Sequence, residues 1–109
     1  MGFGPEKRLK RSVEFVRLLR QGARLKANGY VFYFERKAQG VPRLGLLVTR
    51  RHSKRATVRN SIKRCVREAF RLEYRNLGPG DLLVSPPLDS RPGAAMIDEL
   101  RVLFGRLKR

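Results

Sequence analysis

Apolar positions along this chain recur with two different periods, and the switches between them divide it into elements. After Ser12, a residue suited to capping a helix, Val13, Phe15, Val16, Leu18 and Leu19 recur at spacings of three and four. Arg17 and Arg20 fall elsewhere and Gly22 supplies a stop, so a short first helix is predicted. From Tyr30 to Arg36 the period becomes two, with Tyr30, Phe32 and Phe34 on a core face and Val31, Tyr33 and Glu35 on the other. Gly40-Val41-Pro42 reads as a turn and Arg43 to Thr49 as a second strand. The two strands are expected to form an antiparallel hairpin with its loop near Lys37 to Pro42. Gly45 leaves room for another group to approach the sheet closely.

The helical period returns from about Ala56 to Tyr74, where Val58, Ile62, Val66, Ala69 and Phe70 fall on one stripe. Leu77-Gly78-Pro79-Gly80 ends this long helix, Asp81 to Ser85 forms a strand, and Pro86-Pro87 stops it. From Ala94, the residues Ile97, Leu100, Leu103, Phe104 and Leu107 predict a last amphipathic helix. The order is helix, two or three strands, long helix, strand, helix. That order fits an α+β sandwich of helices on a small sheet.

Composition changes this picture in one respect. A chain of 109 residues suits one domain, with residues 1–11 expected to be a mobile basic arm. It carries 26 Lys+Arg against 9 Asp+Glu, a formal charge of +17, and self-repulsion of that size disfavours the compact state unless a polyanion offsets it. Nucleic acid is the expected partner. No apolar run approaches the roughly 18 residues that span a bilayer, and no signal-peptide core follows Met1, so a cytoplasmic protein without a membrane partner is expected. The single cysteine, Cys65, excludes an internal disulfide and reads as a small semi-buried helix residue. The lone His52, set among Arg50, Arg51 and Lys54, has no second ligand or carboxylate beside it, which favours phosphate contact or solvent over metal or base chemistry. Glu35, Asp81 and Asp89 stand far apart in sequence, so nothing local argues for a hydrolytic pair.

Charge is concentrated between Arg50 and Arg75, where ten basic residues meet only Glu68 and Glu73. Arg59, Lys63, Arg67, Arg71 and Arg75 are spaced by four, so each lies about 40° round the helix from the last and the five form a slowly winding ridge. Asn60 and Arg64 run beside it. Like charges at this spacing cost a few tenths of a kcal/mol per pair in an isolated helix, so an opposing row of phosphates explains them better than helix stability does. A solvated face usually mixes signs, whereas this one extends its positive sign into Arg50-Arg51-His52-Ser53-Lys54-Arg55. Ser53 or Thr57 is expected to cap the helix and leave its first amides open to a phosphate.

The segment Val58-Arg59-Asn60-Ser61-Ile62-Lys63-Arg64 resembles the signature helix of the bacterial ribonuclease P protein component, usually Arg-Asn-Arg-x-x-Lys-Arg. Cys65-Val66-Arg67-Glu68-Ala69-Phe70 continues the likeness, as do Phe15 with Arg20-Gln21-Gly22, Leu44-Gly45-Leu46 and Asp81-Leu82-Leu83-Val84. The resemblance covers nearly the whole chain from Leu9 onwards. Ser61 stands where the family often has arginine and Leu19 where an aromatic is common.

This resemblance implies a single-domain α-β-β-β-α-β-α sandwich with a left-handed βαβ crossover and a central sheet flanked by helices. It implies a cofactor of a ribonucleoprotein endoribonuclease that removes the 5′ leader of precursor tRNA. The RNA subunit, with its magnesium, would perform the hydrolysis, and the protein would supply no catalytic residue, metal or small-molecule site. Arg50, Arg51, Lys54, Arg59, Asn60, Lys63, Arg64 and Arg67 would contact RNA, while Phe15, Leu19, Val31 and Tyr33 would line a leader-binding cleft. Stacking on aromatics beside positive charge suits single-stranded RNA, at roughly 1–3 kcal/mol per base. The alternative is a structural RNA-binding protein of the ribosome or another ribonucleoprotein.

Overall fold

A computed structural model describes residues 12–107. The predicted basic arm at residues 1–11 lies outside the described residues. Where the sequence carries helical periodicity the chain forms α1 (Ser12–Gln21), α2 (Ala56–Leu77) and α3 (Ala94–Gly105). Alternating residues form β2 (Tyr30–Arg36), and the remaining strands are β1 (Ala23–Ala27), β3 (Pro42–Leu46) and β4 (Gly80–Ser85). The order is therefore α-β-β-β-α-β-α in one four-stranded sheet.

The sheet order is β1-β2-β4-β3, which overturns the expected hairpin between β2 and β3. β4 lies between them, antiparallel to β2 with Phe32 opposite Val84, and parallel to β3 with Leu44 opposite Leu82. The reason is burial. Leu82, Leu83 and Val84 are consecutive buried apolar residues, so β4 needs cover on both faces and takes an interior position. The true hairpin is β1–β2, closed at Asn28 and Gly29, both with φ > 0 (53° and 82°) as a tight two-residue turn requires. β3 is also shorter than expected, although Leu47 N–H still donates to Val84 O at 2.9 Å.

The sheet face carrying Tyr30, Phe32, Leu44, Leu82 and Val84 packs against α2 and α3 to form the main core with Ile62, Val66, Phe70, Leu100, Leu103 and Phe104. The rings of Phe32 and Phe70 each meet Phe104 edge-on, with centroids 5.7 and 6.2 Å apart. Cys65 is buried here, as its helix position predicts, and its Sγ accepts the Gly93 N–H at 3.3 Å. Among the described residues, α1 is the helix that covers the opposite face. Leu18 is buried there, but Val13, Val16 and Leu19 are exposed, so only part of the apolar set on α1 faces the sheet. Gly22 permits the close passage from α1 into β1, because a Cβ at this position would lie 2.7 Å from Leu18 O.

Candidate nucleic-acid interface

The winding of the basic ridge decides which members face out. Arg59, Lys63 and Arg67 lie half-buried along the flank of α2, and Asn60, Arg64, Arg71 and Arg75 are exposed. The ridge does not enter the core, which belongs to Ile62, Cys65, Val66, Ala69 and Phe70. The carboxylates nearby neutralise little of it. Arg71 pairs with Glu68 at 2.7 Å, while Glu73 is drawn away to Arg101 on α3 at 2.9 Å. Lys63 and Arg64 pair with no described carboxylate.

The connection from β3 into α2 is held from both ends. His52 Nδ1 accepts the Thr49 N–H at 3.0 Å, which leaves the ring proton on Nε2 to donate to Pro86 O at 2.9 Å. His52 therefore ties the basic connection to the end of β4 with both ring nitrogens bonded to backbone, in place of the phosphate contact or solvent exposure expected from the sequence. Arg59 Nη1 donates to Ser53 O and Lys54 O, at 3.0 and 3.1 Å, and so braces the same segment against the helix. The expected cap is absent: Arg55 occupies the N-cap position without a side-chain bond to the helix, and Ser53 Oγ instead accepts the Arg55 N–H at 3.1 Å. Thr57 lies inside the helix, where its carbonyl accepts the Ser61 hydroxyl. Arg50, Arg51 and Lys54 are exposed on this braced connection.

On the α1 face of the sheet, Phe15, Tyr33 and Leu47 pack around buried Leu18 and Leu83. Phe15 reaches across Gly45, where an added Cβ would lie 3.0 Å from the ring, so Gly45 provides the close approach anticipated from its position. The chain thus brings Phe15 and Tyr33 into one apolar patch. Val31 occupies the same face of β2 two residues before Tyr33, and Leu19 lies one turn along α1 from Phe15, 42% exposed. The structure holds these four on one side of the sheet and the α2 core on the other.

Sequence spacing did not reveal the clasp at the other end of this face. Arg43 on β3 donates to both oxygens of Asp81 on β4, at 2.9 and 3.0 Å, and its Nη2 also pairs with Glu14 on α1. Lys37 reaches the same Asp81 at 3.1 Å, and Arg17 pairs with Glu35 at 3.0 Å. Burial alone would push the Asp81 carboxyl up, but hydrogen bonds from Arg43 and Lys37 outweigh it and hold the group below the usual carboxylate range. Glu35 and Asp81 do come opposite each other across β2 and β4, yet each is engaged by cations. Among the described residues no group of three or more His, Cys, Asp or Glu is placed to hold a metal ion, and no helix is long and apolar enough to cross a membrane.

Fold and surface together define a class: a small basic α+β protein with a cationic helix on one side of its sheet and an apolar, aromatic-bearing patch on the other. Comparison with known proteins is more specific. The ribonuclease P family model matches residues 3–108. The ribonuclease P protein component of Nitrosococcus oceani is 33% identical over 98 residues, covering 88% of this chain and 82% of that protein. Its counterpart from an Azoarcus species is 34% identical over 102 residues, covering 92% and 85%. The solved ribonuclease P protein of Thermotoga maritima superposes with a TM-score of 0.79 at 27% identity, covering 94% of this chain and 98% of that one. The chain belongs to the ribonuclease P protein component family, which makes it the protein part of a tRNA-processing ribonucleoprotein.

Proposed function

We propose that this protein binds the catalytic RNA of ribonuclease P along α2 and holds the 5′ leader of precursor tRNA against its α1-side sheet face. The observation that carries the reading is the pair of cations Lys63 and Arg64 on α2, with the polar Asn60 exposed beside them; no described carboxylate pairs with either cation. Arg59, Arg67 and the braced residues Arg50, Arg51 and Lys54 extend it. Guanidinium groups grip phosphate oxygens in pairs, and aligning several of them releases counterions from the RNA. Phe15 and Tyr33 supply aromatic surface for unpaired leader bases, with Val31 and Leu19 as apolar walls.

In this reading the protein positions and the RNA reacts. Its +17 charge lowers repulsion between two polyanions, the catalytic RNA and the substrate, and so reduces the magnesium needed to bring them together. Hydrolysis and its divalent metal belong to the RNA subunit, with the protein contributing affinity and orientation. A cytoplasmic site of action follows from these partners. The test is reconstitution at low magnesium. Precursor tRNA is expected to be cut faster and bound more tightly by catalytic RNA with the protein than without it, whereas equal rates and affinities would refute the role. A structural ribosomal protein, by contrast, would remain with ribosomal subunits through a salt wash.

A further inference from the structure

The register of the sheet gives the α1 face two electrostatically different ends. At one end Glu14, Glu35 and Asp81 are held by Arg17, Arg43 and Lys37. At the other, Lys26 of β1 lies opposite Val31 of β2, and Val31 lies opposite Ser85 of β4. One residue beyond Ser85, Pro86 O receives the His52 bond that pins the Arg50–Arg55 connection. Arg24 lies opposite Tyr33 in the same register.

Cross-strand partners share a face, so Arg24 and Lys26 stand on the Tyr33 and Val31 side. The intervening Leu25 and Ala27 turn the other way and pack on the main core, which fixes this orientation. Both cations are exposed, and no described carboxylate pairs with either. The Val31–Tyr33 strip is thus bordered by positive charge along β1, and the pinned connection, with exposed Arg50, Arg51 and Lys54, is tied just past the end of β4, where Ser85 lies opposite Val31. Two strand spacings, about 10 Å, separate β1 from β4, which gives room for one nucleic-acid strand between them.

We propose that Arg24 and Lys26 form a second phosphate-binding rail on the edge strand, which grips the backbone of the single-stranded leader while its bases meet Tyr33 and Phe15. This rests on the reading of the α1-side face as the leader cleft. Alternate residues of a strand are about 6.8 Å apart on one face, so the two side chains can follow successive phosphates of an extended strand. The competing explanation is that a charged edge strand merely discourages sheet-to-sheet association. That role would need charge at the edge but no dependence on substrate.

The test uses holoenzyme reconstituted with catalytic RNA and either native protein, R24A/K26A, R24K/K26R or Tyr33→Ala. Affinity is measured for mature tRNA and for precursor tRNA with a leader of about eight nucleotides, within the range of single-strand sites. The rail predicts that R24A/K26A loses roughly five- to tenfold in affinity for the precursor, with a salt slope shallower by about 1.4, and keeps its affinity for mature tRNA and catalytic RNA. R24K/K26R should retain most of the native affinity. If Tyr33→Ala weakens precursor binding but R24A/K26A does not, the rail is wrong and the cleft stands. If neither does, cleft and rail both fall. An equal loss for mature tRNA or catalytic RNA would assign β1 to a different RNA contact and overturn the proposal, as would self-association of R24A/K26A with leader affinity unchanged.

Discussion

Asp81, only 7% exposed, ties three elements together, because it accepts from Arg43, whose guanidinium also pairs with Glu14 of α1, and from Lys37 in the loop after β2. Removing it leaves the half-buried Arg43 guanidinium short of its main partner, and Asp81→Asn is expected to cost about 2 kcal/mol at neutral pH. The sign of the pH dependence follows from the lowered carboxyl pKa. Stability from a depressed acid is complete above its unfolded value, about 4, and is lost as pH falls through the folded value. The gap between native and Asp81→Asn unfolding midpoints in urea should therefore be constant from pH 7 down to about 5 and close in stronger acid. A gap that persists undiminished at pH 2 would show that the clasp does not act through this ionisation.

Among the elements, α1 depends on the smallest side chain beneath it. Gly45 lets the Phe15 ring lie against β3, with Leu83 also 3.0 Å from where a Cβ would sit. Gly45→Ala is expected to push Phe15 outwards, cost about 1–2 kcal/mol, and weaken precursor binding more than mature tRNA binding. Equal affinities with only the stability changed would separate the packing of α1 from the leader site. Gly45 also shows what was legible in sequence. Its need for a close neighbour was readable, and α1, β2, α2, β4 and α3 were placed by periodicity to within a few residues. β1 was not, because Ala23-Arg24-Leu25-Lys26-Ala27 offers one large apolar residue to a face and no aromatic or β-branched run. The β2–β3 hairpin failed for a different reason: nearness in sequence favoured it, while the signal against it was the unbroken Leu82-Leu83-Val84 run of an interior strand. Neither the Asp81 clasp nor the His52 tie leaves a spacing pattern, since their partners lie 38 and 34 residues away.

At the scale of the whole molecule, a charge of +17 is carried on a fold with a radius of gyration of 12.9 Å. The described ion pairs cluster at the α1 end of the sheet and around Glu68 and Glu73, and they leave the braced connection and much of α2 uncompensated. Any polyanion that binds this surface only in the folded state stabilises that state. Inorganic polyphosphate at about 100 times its Kd is expected to add about 2.7 kcal/mol. That corresponds to a rise in Tm on the order of 10 °C. Chloride at equal ionic strength should do less, because it screens charge without bridging it, and equal shifts would reduce the effect to general screening.

The placement of the ridge on RNA is tested most directly by the salt dependence of binding to the catalytic RNA, compared between native protein and a Lys63→Ala, Arg64→Ala double variant. Both side chains lie off the buried stripe of α2, so the fold should survive the change. If they meet phosphates, the slope of log K against log salt becomes shallower by about two units and affinity falls at every salt concentration. An unchanged slope, with the double variant folded, would mean that this face of α2 looks onto water.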